Sequence, residues 1–223
     1  MPRKTGKLKG NKTFFIVVEG TTEKIYFSDV KTNGRIPGVT ITPKTAKHSD
    51  LNTILKTAIT EIKTGAYDSV WCVFDRDTLT QEGMSKELKE QYDKAKSLEI
   101  HFADSMPAFE VWFLLHFAMP AQFYSSQDSV IKELRKHIPD YEKDQKWLSS
   151  ANLYSKLKPY FKDAMKKAAE LDKKKKVSEN ANATISHVYK LFEELLKETP
   201  KVNLLQLKHQ LFTYVSVICG LLC

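Results

Sequence analysis

The stretch "TFFIVVEG" at Thr13–Gly20 is an almost continuous apolar run that ends in a glutamate and a glycine. It shows no polar alternation, so it predicts a strand buried on both faces, as in a parallel sheet. Gly20 ends the run, and the residues from Thr21 or Thr22 to about Lys31 are typical of a following helix. The stretch therefore predicts the first β-α unit of an α/β fold.

A second stretch, "SVWCVFDRD" at Ser69–Asp77, has the same construction and again stops on acidic residues. A short alternating segment, "VTIT", and an amphipathic helix separate the two stretches, and a polar helix and the segment "EIHFAD" follow them. Strands that alternate with helices in this way predict a largely parallel sheet flanked by helices. We therefore predict an α/β domain over residues 13–117.

The segment "PAFEVWFLLHF" at Pro107–Phe117 is apolar all round and predicts a buried helix that begins at Pro107. Beyond it the patterns are helical, at about residues 128–137, 151–171, 181–198 and 204–222. We therefore predict an all-helical C-terminal extension, residues 118–223, packed on the α/β domain. Residues 1–12 read as a basic tail.

The chain of 223 residues carries 35 Lys and Arg against 27 Asp and Glu, a formal net charge of +8. Such an excess is typical of proteins that meet polyanions, nucleic acid above all, although it also occurs in unrelated proteins. The charge therefore favours a nucleic-acid partner, DNA or RNA, and excludes nothing by itself.

The three cysteines form neither a CxxC motif nor a cluster with histidines at zinc spacing. This usage suits a reducing cytoplasm, and no apolar run reaches the length of a membrane span. The C-terminal segment "LFTYVSVICGLLC" is too short to cross a membrane. It could dock onto the helical extension, or serve a homodimer or a partner protein, and the sequence does not decide between these.

Carboxylates follow two strands of the predicted sheet. Glu19 ends the first strand, and Asp75 and Asp77 end the third. Ligands of open parallel sheets bind outside the carboxyl ends of the strands, and an extended Asp-x-Asp points both side chains to one side. Gathered carboxylate oxygens suit a hard cation such as Mg²⁺. Acids after a strand are also common as turn and helix caps, so spacing alone leaves both interpretations open.

Four blocks of the chain, in this order, resemble the RloB-like family. They are "FFIVVEGTTEKIYF" (Phe14–Phe27), "YDSVWCVFDRD" (Tyr67–Asp77), "ADSMPAFEVWFLLHF" (Ala103–Phe117) and "NANATISHVYKLFEEL" (Asn180–Leu195). RloB-like proteins are in turn similar to the Toprim superfamily, whose compact parallel sheet carries a Glu and an Asp-x-Asp that bind Mg²⁺ for phosphoryl transfer. The resemblance therefore implies a Toprim-like fold.

The resemblance also implies roles for single residues. Glu19 is expected as a metal ligand or general acid/base, and Asp75 and Asp77 as Mg²⁺ ligands, with Mn²⁺ as a substitute. Glu23 matches the second acid of the family's first block. Glu110 matches the acid of its Phe-Glu block, so Glu19, Glu23 and Glu110 are the expected catalytic acids.

Two departures from the family pattern leave this acidic core untouched. Where relatives commonly have Asn-Pro-Cys, this chain has Met106, Pro107 and Ala108, and Met cannot cap a helix as Asn does. Where many relatives have Asn-Pro-Ser-Thr, it has Asn182, Ala183 and Thr184.

Further residues are weaker candidates for contacts with nucleic acid. They are Lys44, Lys47 and His48 after the second strand, Arg76 within the Asp-x-Asp, and His116, which matches a family histidine. His116 lies six positions after Glu110, about 240° around a helix, so the two do not share a helix face. A hydrogen-bonded, half-buried histidine is an equally good interpretation of His116.

The prediction from the sequence and the resemblance is a metal-dependent nuclease that hydrolyses phosphodiesters in phage defence. Two alternatives stay open: a non-catalytic module that binds a nucleotide or nucleic acid, and an interaction protein whose acids are structural. The first predicts metal or ligand binding without turnover, and the second predicts no response to metal.

Overall fold

The computed structural model describes residues 10–48, 50–76, 84–120, 123–178 and 182–197. Three features of the sequence prediction lie outside these residues: Asp77, most of the basic tail, and the apolar segment at residues 204–222. None of the helices in the described ranges is long and apolar enough to cross a membrane.

A parallel sheet forms the centre of the described part of the chain. Its strands run in the order β2-β1-β3-β4, and each neighbouring pair is parallel. Their bounds are β1 (Lys12–Val18), β2 (Val39–Thr45), β3 (Ser69–Val73) and β4 (His101–Phe102). The continuous apolar runs of β1 and β3 are buried on both faces, so the prediction of an α/β fold with a parallel sheet is confirmed.

Helices cover both faces of this sheet because alternate side chains of β1 point to opposite sides. Phe14, Ile16 and Val18 pack on the side of α1 (Thr21–Asp29). Phe15 and Val17 pack on the side of α2 (Leu51–Lys63) and α3 (Lys86–Ser97). A π-helical turn, Val30–Gly34, continues α1.

The C-terminal region is helical, as predicted, and it packs on the α1 side of the sheet in one continuous hydrophobic core. Its helices, in chain order after α4 (Glu110–Leu115), are α5 (Gln127–Leu134), α6 (Gln145–Ser150), α7 (Leu153–Leu157), a 3-10 turn (Lys158–Tyr160), α8 (Phe161–Ser178) and α9 (Val188–Lys197). The apolar stripe of α9 includes Leu191, Phe192 and Leu195, which are almost fully buried.

A short antiparallel pair was not predicted from the sequence. It joins β5 (Ser105–Met106) to β6 (Ile185–Ser186), and the two serine hydroxyls are hydrogen-bonded at 3.0 Å. Two residues on each side are too few to show a strand period, so the helical pattern of the surrounding sequence hid β6.

The start of the buried helix also differs from the prediction. Pro107 does not occupy its first turn, because β5 continues to Met106 and α4 begins only at Glu110, with Phe109 as its N-cap residue. Glu110 therefore stands at the very start of the helix rather than within it.

Candidate acidic site at the sheet edge

The sheet order places the ends of β1 and β3 side by side. β1 connects to β2 on one side, and β3 lies on the other, so the chain reverses its direction across the sheet at this point. Crevices at such switch points are the usual ligand sites of open α/β sheets. The backbone N–H of Glu19 donates to Val73 O at 3.1 Å, which fixes the two strand ends together.

Glu19 and Asp75 are in direct contact at this switch point. The backbone N–H of Asp75 donates to Glu19 Oε2 at 2.9 Å. The strand-end acids Glu19 and Asp75 therefore lie at the same edge of the sheet, as their positions in the sequence predicted. Asp77, the third predicted ligand, lies outside the described residues.

Glu23 lies in the first turn of α1 and is only 5 % exposed. Its Oε2 lies 3.0 Å from the point where a Cβ atom on Gly20 would stand, so the glycine leaves room for this carboxylate. Burial raises the pKa of Glu23 to about 7, and the charges of Glu110 and Glu19 act in the same direction. Lys143 opposes this rise without cancelling it.

The pKa of Asp75 is raised as well. Burial is the largest cause, and the charges of Glu23, Glu19 and Glu110 follow. Glu19 and Glu110 therefore lie close enough to Glu23 and Asp75 for their charges to disfavour ionisation of these two acids. The four side chains form what we call the acidic site: Glu19, Glu23, Asp75 and Glu110.

Glu110 is fully buried at the start of α4, but the protein supplies it with partners. Tyr141 donates its hydroxyl to Glu110 Oε1 at 3.1 Å, and Gln127 donates to Oε2 at 3.1 Å. Lys143 Nζ lies 3.4 Å from Oε1. These partners come from the helical C-terminal region, so that region supplies part of the surroundings of the acidic site.

The donor chemistry of the acidic site suits Mg²⁺. Its side chains offer only oxygen atoms, and the pKa values of Glu23 and Asp75 are raised by burial first and by the neighbouring carboxylates second. Within the described ranges, however, no three His, Cys, Asp or Glu side chains are grouped closely enough to hold a metal ion. The acidic site therefore fits Mg²⁺ in the type of its ligand atoms. Asp77, the third predicted ligand, lies outside the described residues.

His116 does not join the acidic site. It is 2 % exposed, its Nδ1 lies 2.8 Å from Trp112 O, and its ring packs against Trp112 and Phe161. Burial lowers its pKa to about 4, so the ring is neutral at pH 7. The expectation that His116 contacts nucleic acid disagrees with this burial, and the interpretation as a hydrogen-bonded core histidine agrees with it.

The three candidates after the second strand lie near its carboxyl end. Lys47 and His48 are exposed, whereas Lys44 forms an ion pair with Glu61 of α2 at 3.0 Å. Lys44 therefore faces the α2 layer, on the opposite side of the sheet from α1 and Glu23. Contacts of these residues with nucleic acid stay a prediction.

Arg76 belongs to a second polar cluster, beside the acidic site. Its guanidinium pairs with Asp104, whose other oxygen lies 2.9 Å from His187 Nδ1. His187 Nε2 lies 3.0 Å from Asp172, which also binds Tyr189 and Lys190. Burial favours the neutral acid, but the hydrogen bond and charge of His187, with Arg76, lower the pKa of Asp104 to about 2.

Several residues of the two clusters were not predicted from the sequence as site residues. Asp104 and His187 stood inside two of the four quoted blocks, "ADSMPAFEVWFLLHF" and "NANATISHVYKLFEEL", so the resemblance contained that signal. Tyr141, Gln127 and Lys143 stood in no motif, and only the fold brings them to Glu110.

These observations define the chain as an α/β protein with an acidic site at the switch point of a parallel sheet. The model of the RloB-like protein family matches residues 14–195, and the chain therefore belongs to that family. No curated protein and no solved structure matches the chain.

Proposed function

We propose that this RloB-like protein is a metal-dependent nuclease that hydrolyses phosphodiester bonds of nucleic acid. The observation that carries the proposal is the acidic site, where burial and then the charges of neighbouring carboxylates raise the pKa of Glu23 and Asp75. Burying so much like charge is unfavourable without a cation, and such perturbed acids tend to mark functional sites.

Glu19 and Asp75, with Asp77, are the residues that would hold Mg²⁺. When bound, the metal supplies a Lewis acid for the phosphate and lowers the pKa of an attacking water. Glu23, with a pKa of about 7, is suited to take up or release a proton, since general acids and bases work best near the working pH. Glu110 is held in place by Tyr141 and Gln127 and adds negative charge behind Glu23.

The net charge of +8 favours a polyanionic substrate, because positive surfaces raise the local concentration of nucleic acid. A role in phage defence is part of the proposal and rests on the resemblance described above.

The test compares the wild type with the double variant Asp75→Ala/Asp77→Ala on DNA and RNA, with Mg²⁺, with Mn²⁺ and with a chelator. Glu90→Gln is the matched control, because Glu90 is an exposed acid of α3. We expect metal-dependent cleavage by the wild type and the control, and none by the double variant. Equal cleavage by all three proteins would contradict the proposal.

Metal binding is measured alongside by isothermal titration calorimetry, since a defence nuclease can require a trigger before it cleaves. Heat of binding in the wild type that disappears in the double variant would place the metal at the acidic site even without turnover. No binding and no cleavage by the wild type would refute the proposal.

A non-catalytic module that binds a nucleotide or nucleic acid is the second candidate. It is favoured by the partners of Glu110, because Tyr141, Gln127 and Lys143 satisfy this acid without any ligand. That arrangement is also expected of a purely structural carboxylate. Metal or nucleotide binding without cleavage under all conditions would support this candidate.

A further inference from the structure

A groove runs along the open edge of the sheet, next to β4 and apart from the acidic site. It measures about 600 Å³, within the range of pockets that bind small ligands. Basic side chains from separate elements line it: Arg76 after β3, Lys96 of α3, His101 of β4 and Lys190 of α9. Its wall also carries Asp104 and Glu99, so the groove is not uniformly basic.

Two of these cations are held in fixed positions. Asp104 pairs with Arg76, and Asp172 pairs with Lys190 at 3.1 Å. His187 lies between the two carboxylates and directs one ring nitrogen at each. Long basic side chains lose much conformational freedom when they bind a ligand, so holding them in advance reduces that loss.

The inner part of this network brings several basic side chains to two carboxylates. Asp104 binds Arg76 and His187, and Asp172 binds His187 and Lys190. Lys175 lies near the same groups: burial and the charges of Arg76 and Lys190 lower its pKa, and Asp104 and Asp172 act in the opposite direction. The groove therefore offers an anion several basic side chains at once.

The aromatic rings of the groove are already in contact with other side chains. The rings of Tyr92 and Phe102 stack on each other with centroids 4.8 Å apart. The Lys96 ammonium lies 4.4 Å from the centroid of Tyr92. His101 stacks on Trp71 at 4.8 Å. The groove therefore presents cations whose aromatic neighbours are already in contact with other groups.

We propose that this groove binds the phosphodiester backbone of a single nucleic-acid strand, without reading its bases, through Arg76, Lys96 and Lys190. The proposal rests on the proposed function in one respect: Arg76 directly follows Asp75 in the chain, so the groove lies beside the site that would cut the strand.

The test measures binding of fluorescently labelled oligo-dT and oligo-dA of equal length to the full chain, by anisotropy in chelator so that no metal-dependent turnover occurs. The variant is Lys96→Glu, an exposed position on α3. The matched control is Lys94→Glu, also exposed on α3 but about 200° around the helix. Urea midpoints of both variants establish that they are folded as the wild type is.

We expect Lys96→Glu to weaken binding of both oligonucleotides by about tenfold and to reduce the salt dependence, as loss of a phosphate contact does. Lys94→Glu should change the affinity by less than about twofold, since it leaves the groove intact. Three results would overturn the proposal. They are equal losses of affinity in the two variants, a loss of affinity for only one of the two oligonucleotides, and no binding by the wild type. Displacement of the oligonucleotide by ATP at equal phosphate concentration would reassign the groove to a mononucleotide and would also overturn it.

The same variants separate this proposal from the nuclease function. Cleavage by the wild type together with unchanged binding by Lys96→Glu would refute the groove and leave the nuclease standing. Weakened binding by Lys96→Glu without any cleavage by the wild type would support the groove and count against the nuclease.

Discussion

Replacing Glu23 by glutamine should change how the stability of the protein depends on pH. The pKa of Glu23 rises from 4.5 to about 7 on folding, because burial and neighbouring carboxylates disfavour its charge. The folded protein therefore binds a proton more tightly at this site than the unfolded chain does. The contribution of protonated Glu23 to the free energy of unfolding is fully present below pH 4.5 and is lost as the pH rises through 7.

The magnitude follows from the two pKa values. Each factor of ten in proton affinity is 1.36 kcal/mol, so ionised Glu23 lowers the free energy of unfolding by about 3 kcal/mol above pH 7. Glutamine carries no charge and resembles the protonated acid. Glu23→Gln should therefore match the wild type below pH 4.5 and exceed its stability by about 3 kcal/mol at pH 8.

The assay is urea unfolding of both proteins in chelator across this pH range, with Glu90→Gln as the exposed control. Titrating groups remote from the acidic site cancel in the difference between wild type and variant, whereas Asp75, which the charge of Glu23 perturbs, contributes to it. A difference that stays constant with pH, or one of equal size in Glu90→Gln, would refute the argument. Mg²⁺ should narrow the difference at pH 8 if the acidic site holds the metal.

Three further changes test the surroundings of the two clusters. Gly20→Ala places a Cβ 3.0 Å from Glu23 Oε2 and should destabilise by about 1–3 kcal/mol in urea unfolding, through overpacking. Tyr141→Phe removes a hydrogen bond from buried Glu110 and should lower stability by about 1–3 kcal/mol, a loss that a thermal melt detects. Asp104→Asn leaves the half-buried Arg76 without its ionised partner and should cost about 1–3 kcal/mol in urea unfolding. Unchanged midpoints would contradict each argument.

The sheet and half of the acidic site could be predicted because their signals are local. The continuous apolar runs of β1 and β3 indicate buried parallel strands, and each run ends directly in an acid. Parallel strands bring those ends to one edge, and Glu19 and Asp75 are in contact because β1 and β3 are neighbours, which the sequence left open.

Glu23 and Glu110 were named from the family resemblance, but the partners of Glu110 and Asp104 could not be predicted because they lie in distant segments of the chain. Lys143 reaches Glu110, and His187 reaches Asp104, only after the helical region folds over the sheet. The burial of His116 against Phe161 depends on the same packing and could not be predicted. Its separation from Glu110 was predicted, because six positions along a helix place the two on different faces.

The pairing of β5 with β6 has a consequence for how the protein is made. Ser105 can pair only after Ser186 has been synthesised. The chain grows at about 5–20 residues per second, so this pair forms at the earliest roughly 4–16 s after Ser105 has been synthesised. Tyr141 and Lys143, two partners of Glu110, are synthesised in between. A growing chain that has just completed its parallel sheet therefore still lacks these partners of its buried acid. The surroundings of Glu110 can be completed before β5 has found β6.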